Sequence, residues 1–131
     1  MRWAAFAESA PELAALGRAG FGEQNLCLIG TLRADGWPRL SANEVYVVDG
    51  ELLLGMMRDS RKSKDLERDP RITVMTPQCD REAKRGDFKA YGRAIPVTDA
   101  KNTWSTSHAA SPARASASDT ARSPSSTAQR M

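Results

Sequence analysis

Short apolar runs separated by turn dipeptides fill the chain from Leu26 onward, a pattern that predicts antiparallel strands joined by hairpins. The first run is Leu26 to Arg33. Asp35-Gly36 then predicts a tight turn, Pro38 opens a second run over Arg39 to Val48, and Asp49-Gly50 turns into a third, Glu51 to Met57. Arg58 to Asp69 is polar, rich in Lys, Leu and Glu, and stopped by Pro70, so a short helix is expected there. Arg71 to Thr76 reads as a fourth strand closed by Pro77. A charged loop runs through Gly86, and Asp87 to Val97 reads as a fifth strand, with Pro96 near its end. Upstream, Ser9, Pro11 and Glu12 form a helix start of capping-box type, with Leu13 and Leu16 on one face and an end near Gly17, Gly20 and Gly22. Trp3 and Phe6, three apart, are expected to seal the N-terminal piece onto the sheet.

The pattern breaks after Thr98-Asp99. Residues 101–131 hold no Val, Ile, Leu, Phe, Tyr or Gly, and Ser, Ala and Thr make up 19 of the 31. Such a stretch buries too little apolar surface to offset its ordering entropy, so it is expected to be disordered, without strand-forming residues. The expected organisation is therefore a domain over 1–100 and a low-complexity tail over 101–131. A linker or phosphorylated tail is one explanation of that composition. A change of reading frame near residue 100, with loss of the true C-terminal strands, is the other.

Charge follows the same division. The net charge is +3, yet residues 1–100 carry 15 basic and 15 acidic side chains. The excess lies in Lys101, Arg114, Arg122 and Arg130 against Asp119, so the folded part shows no overall basic face and no nucleic-acid partner is expected. Cys27 and Cys79 stand far apart with no Cys/His pattern around them, which argues against a metal site and for reduced thiols, Cys27 in a buried strand position. No signal-peptide pattern opens the chain and no run approaches the roughly 20 apolar residues of a membrane span, so the expectation is a cytoplasmic protein off the membrane.

The densest chemistry lies in Met57-Arg58-Asp59-Ser60-Arg61-Lys62-Ser63-Lys64-Asp65-Leu66, between a strand end and a helix start. A phosphate needs donors and positive charge at one point. A helix N-terminus supplies backbone N–H groups, Ser60 a hydroxyl, Arg61 a two-pronged donor and Lys62 a mobile charge. The competing reading is a solvated surface connection, and Lys64, Asp65, Glu67, Arg68 and Asp69 are assigned to such a solvated face.

The succession Thr31-Leu32-Arg33-Ala34-Asp35-Gly36-Trp37-Pro38-Arg39, Asp49-Gly50-Glu51-Leu52, Ser60-Arg61-Lys62, Asp69-Pro70-Arg71-Ile72 and Tyr91-Gly92-Arg93-Ala94 resembles the FMN-binding split-barrel family of pyridoxamine-phosphate oxidases. The likeness covers about residues 25–99 and is nearest to short bacterial members, several of which use the deazaflavin coenzyme F-420. The resemblance implies a mainly β fold, an antiparallel split β-barrel with flanking helices, here incomplete at the C-terminus. It implies that Ser60, Arg61 and Lys62 hold the phosphate of FMN or coenzyme F-420, with Met56 and Met57 as walls near the ring. Where oxidase members place a second-strand Arg, this chain has Ser41, and Arg39, two residues away on the same strand face, is the candidate substitute. Asn43 and Glu44 are further candidates to face the cofactor, against the alternative of exposed strand residues. Family members are usually homodimers with the cofactor between subunits.

The activity so implied is a flavin- or deazaflavin-dependent oxidoreductase moving a hydride to or from a small organic substrate. The alternatives are a non-catalytic module holding a flavin or a tetrapyrrole, and an inactive truncated member. No catalytic acid or base is assigned. His108, the single histidine, lies in the tail, and Tyr46 and Tyr91 are candidate proton donors on strand placement alone. Met56-Met57 and Tyr91-Gly92-Arg93 also admit purely structural roles, as core filler and as a bulge with a packed ring.

Overall fold

A computed structural model of the chain describes residues 2–22, 24–78 and 80–97, together with the backbone of 103–105. Two helices lead: α1 over Trp3–Ser9 and α2 over Pro11–Phe21. The strands are β1 Leu26–Leu32, β2 Pro38–Val48, β3 Glu51–Gly55, β4 Arg71–Met75, β5 Lys89–Arg93, β6 Ile95–Pro96 and β7 Thr103–Ser105, with α3 Arg61–Arg68 between β3 and β4.

The N-terminal turn chemistry differs from the expectation. Ser9 is the last residue of α1 and its hydroxyl donates to the Phe6 carbonyl at 2.9 Å, while Ala10 caps α2 with no side-chain bond and Pro11 takes the first turn. α2 ends at Phe21 with Gly22, the last of the expected stops, as its C-cap, and runs through Gly17 and Gly20. Those glycines are kept by packing: a Cβ on Gly20 would stand 2.5 Å from Thr76 Cγ2, and one on Gly17 would stand 3.2 Å from Phe88 and from Trp3. The helix thereby lies close on the sheet, and Trp3, Phe6, Phe21 and Phe88 form the aromatic seal that the Trp3/Phe6 spacing suggested.

The strands form one seven-stranded sheet in the order β5-β4-β1-β2-β3-β7-β6, every pairing antiparallel. Asp49 and Gly50, at φ 50° and 76°, connect β2 to β3 as a two-residue turn of the type that matches strand twist. The single strand expected over Asp87 to Val97 is two strands broken at Ala94, whose N–H bonds the Pro70 carbonyl at 2.8 Å. β5 and β6, one residue apart in the chain, are the two ends of the strand order, so the sheet must roll back on itself. The result is a curled half-barrel with three helices, the antiparallel split-barrel class expected from the sequence.

β7 departs from the expected strand-free tail: Thr103–Ser105 pairs with Leu53, Leu54 and Gly55 of β3 on one side and with β6 on the other. Thr103 and Trp104 are strand-favouring residues, a local signal that the Ser-, Ala- and Thr-rich composition of the tail around them obscured. The rest of the expected tail, the reading-frame alternative, His108 and Cys79 lie outside the described residues.

Alternation sorts the side chains cleanly. Cys27, Ile29 and Thr31 of β1, Asn43 and Val45 of β2, Leu52 and Leu54 of β3, and Ile72 and Val74 of β4 turn inward with Met56, Leu66 and Phe88. Cys27 is buried as expected, and burial pushes its thiol up to about 12, against the opposing pull of the Lys62 charge, so it stays a neutral core group. The outer face of β2 keeps Leu40, Tyr46 and Val48 exposed, with Trp37 and Met57 exposed at the adjoining chain turns.

Candidate functional site: a cleft between the second and third strands and the third helix

Ser60 begins the site by ending an extended stretch: at φ −61° and ψ 155° it caps α3, its Oγ accepting from the Ser63 N–H at 3.3 Å and its carbonyl from the Lys64 N–H at 3.0 Å. The N–H groups of Arg61 and Lys62, in the first turn, have no carbonyl one turn back to bond. No acidic residue occupies that turn, while Arg61, Lys62 and Lys64 crowd the end of the helix where the dipole already disfavours positive charge. For isolated helix stability this charge order is reversed, and an anion at that end would correct it.

Against this helix end lies a cleft of about 720 Å³ bounded by Ala42, Asn43, Glu44, Tyr46 and Val48 of β2, Leu53 and Gly55 of β3, and Met56, Met57, Ser60 and Lys62. Lys62 is half-buried and its Nζ donates to the Ala42 carbonyl at 3.1 Å. Burial lowers its pKa, with Cys27 and Glu44 pulling the other way. Tyr46 donates its hydroxyl proton to Glu44 Oε2 at 3.3 Å, and the Glu44 charge, with some burial, raises the phenol's pKa, so the proton stays on Tyr46. Gly55 gives the carboxylate room, since a Cβ there would stand 3.1 Å from Glu44 Oε2. Asn43 is buried; its Nδ2 donates to the Glu44 carbonyl at 2.7 Å, while its Oδ1 is buried with no partner among the described residues.

Of the residues expected at a cofactor site, the structure brings Ser60, Lys62, Met56 and Met57 together at this cleft, with Asn43 and Glu44. Met56 is buried and Met57 is 77% exposed, so the pair divides between core and rim. Arg61 is exposed at the helix start beside the cleft without lining it. Ser41 and Arg39 do not line it either; both lie on the inward-alternating face of β2, nearer its start than Asn43, which does line the cleft. Tyr91 lies on β5, away from this cleft, whereas Tyr46 is within it.

Arg39 has another partner. Its Nε bonds Asp65 Oδ2 at 2.6 Å, and the same carboxylate accepts from the Thr31 hydroxyl at 2.9 Å and from Arg68 at 3.3 Å. Asp65 is 3% exposed, which corrects its assignment to a solvated face. Burial pushes its carboxyl up, but the bonds from Arg39, Thr31 and Arg68 together outweigh that and hold it below the usual carboxylate range. Arg68 also reaches the Leu32 carbonyl, so α3 is clamped onto β1 and β2 along its inner side. Nothing local in the sequence signals this: Asp65 lies in a stretch with Lys64, Glu67, Arg68 and Asp69, and the partners that bury it, Arg39 and Thr31, are 26 and 34 residues away.

A curled antiparallel half-barrel with a cationic helix start at the mouth of a cleft defines the class to which the chain conforms. A family model described as pyridoxamine 5'-phosphate oxidase matches residues 14–129, and the chain belongs to that family. Among solved structures it is similar to a conserved hypothetical protein from Mycobacterium tuberculosis, 27% identical over 68% of this chain and 53% of the other, with a TM-score of 0.57. The fold is also shared with HutZ, a heme storage protein from Vibrio cholerae (21% identity, 74% and 64% of the two chains, TM-score 0.53). An F-420 reductase shares it too (17% identity, 61% and 62%, TM-score 0.50). The chain spans less than two thirds of each of these three structures. No curated protein matches it. Among the described residues, no helix is long and apolar enough to cross a membrane.

Proposed function

We propose that the cleft holds FMN or the deazaflavin coenzyme F-420 and that the protein is a flavin- or deazaflavin-dependent oxidoreductase acting on a small organic substrate. The observation that carries this reading is the first turn of α3, where three cations and a capping serine meet with no acidic counterweight at the edge of a cleft. A phosphate there would take the free N–H groups of Arg61 and Lys62, the two side-chain charges and the Ser60 hydroxyl. The cleft is in the size range of small-molecule sites, roughly 300–1,000 Å³. Its buried Asn43 Oδ1 is an acceptor suited to an N–H on the ring edge, since an unpaired buried acceptor costs about 1–3 kcal/mol.

Both cofactors supply hydride transfer, and the protein's part is to bind and orient. Met56 and Met57 supply a soft wall and Tyr46 holds a proton within the cleft. Arg39 and Ser41 serve the site from behind, Arg39 by anchoring Asp65 of α3. The 1–100 segment is the cofactor-binding unit in this reading. The working form is a homodimer, with the exposed apolar outer face of β2 between copies, and sedimentation showing a monomer at all concentrations would remove that part.

A second reading rests on the shared fold of the heme storage protein: a non-catalytic module holding a tetrapyrrole. The deciding experiment is titration of the purified chain with FMN, coenzyme F-420 and haem in turn, followed by fluorescence or absorbance. Saturable binding of FMN or F-420, weakened at least tenfold when Arg61 and Lys62 are both replaced by Ala, is expected, because charged hydrogen bonds contribute about 1.5–3 kcal/mol each. Binding of haem alone would transfer the cleft to the second reading, and affinity untouched by the double substitution would return Ser60-Arg61-Lys62 to solvated surface.

A further inference from the structure

The outer face of the sheet carries a second cleft, of about 520 Å³, on β1, β4 and β5, and it shares no residue with the cofactor cleft. Strand register explains its shape. Thr73 stands opposite Tyr91 on one side and Gly30 on the other, and Arg71 stands opposite Arg93. Gly30 has no side chain to cover the floor, so a dent two strands wide opens beside Thr73, walled by Leu32, Pro38, Tyr91 and the arginine pair.

The arginine pair is the unexpected part. Like charges directly opposite one another across an antiparallel ladder are destabilising. Arg71 is compensated, its Nε at 3.0 Å and Nη2 at 2.6 Å from the two Asp69 oxygens. The Arg93 side chain lies in the field of that same carboxylate but makes no ion pair or hydrogen bond among the described residues. A guanidinium with no direct side-chain partner among the described residues thus lines a shallow, mostly apolar dent, beside a half-exposed tyrosine ring and a threonine hydroxyl.

We infer that this cleft is a binding site for a small aromatic carboxylate. The ring lies in the dent over Gly30 against Leu32 and Pro38, with its edge toward Tyr91, and the carboxylate bonds Arg93 and the Thr73 hydroxyl. Guanidinium matches a carboxylate in planar, two-pronged fashion, which an ammonium would not. The site stands apart from the cofactor reading and does not rest on it.

The test uses the full chain and benzoate as the probe, with benzyl alcohol as its uncharged counterpart, followed by backbone amide shifts. Two variants address the two halves of the site. Arg93→Gln removes the charge, and Gly30→Val fills the dent; a Cβ at Gly30 meets Thr73 Cβ at an ordinary 3.6 Å, and the branched carbons beyond it are directed into the dent of a strand that favours β-branched residues. Benzoate is expected to shift Gly30, Thr73 and Gly92 saturably, with affinity lowered about tenfold in each variant, the loss of one charged hydrogen bond in the first. Thermal unfolding of both variants should match the parent, and FMN should leave the shifts in place. Equal binding of benzyl alcohol, shifts centred elsewhere, or affinity unchanged in both variants would each overturn the inference.

Discussion

At the scale of single residues, the most consequential group is Asp65, a carboxylate 3% exposed that ties α3 to Thr31 of β1 and Arg39 of β2. Its pKa is held low in the folded protein, so the stability it contributes is fully present above the unfolded carboxylate value of about 3.9 and is lost as pH falls through the folded value. The urea midpoint is therefore expected to stay level down to about pH 5 and to drop at lower pH. Asp69, held down to about 2 chiefly by its bond from Arg71, acts in the same acid window. Asp65→Asn separates them: it should lower stability at pH 7 by about 1.5–3 kcal/mol, the scale of a hydrogen bond to a charged group, and flatten part of the acid slope. An unchanged slope would mean that Asp65 titrates alike in both states. Of the candidate site, the Ser60 cap and the Lys62 charge beside it were legible, because capping acts within one local turn. Arg39 was legible as a basic residue on β2, but its bond to Asp65 was not, because that partner lies 26 residues away.

At the scale of elements, α2 shows packing overriding propensity. Gly17 and Gly20 are poor helix formers by about 1 kcal/mol each relative to Ala, and they read as a helix end. The helix continues through them because the sheet approaches so closely. Gly20→Ala should consequently destabilise rather than stabilise, by about 1–3 kcal/mol, since the new Cβ would overlap a short β-branched side chain, Thr76, that has no flexible end to retreat. Denaturant unfolding of this variant, with Ala15→Gly as an exposed control for propensity alone, checks it; a stabilised Gly20→Ala would show that α2 can lift from the sheet. The hairpins, by contrast, were legible almost to the residue. Asp35-Gly36 and Asp49-Gly50 lie where the strands reverse, because a positive φ is a local demand that sequence displays directly.

At the scale of the whole molecule, closure depends on a strand that composition hides. β7 lies between β3 and β6 and covers the edge of β3 at Leu53, Leu54 and Gly55. Truncation after residue 100 should therefore lower the unfolding temperature and promote association through the uncovered β3 edge, measured by calorimetry and light scattering. A truncated chain as stable and as monodisperse as the parent would reduce 101–131 to the unstructured tail its composition suggests. The same sheet carries the cleft at the start of α3 on β2 and β3 and the arginine-flanked dent on β1, β4 and β5, with no residue shared between them.

Local rules thus determined the antiparallel character of this protein, its hairpin turns, the capped α3 and the cluster of cations at its start, since periodicity, positive φ and helix capping are decided within a few neighbouring residues. Tertiary structure alone decided that Asp65 is buried, that Arg39 turns inward to it, that Ala94 breaks one strand into two, and that Thr103–Ser105 joins the sheet. Each of these depends on partners 20 or more residues away, whose approach is set by how the sheet rolls, and that curvature is a property of all the strands together.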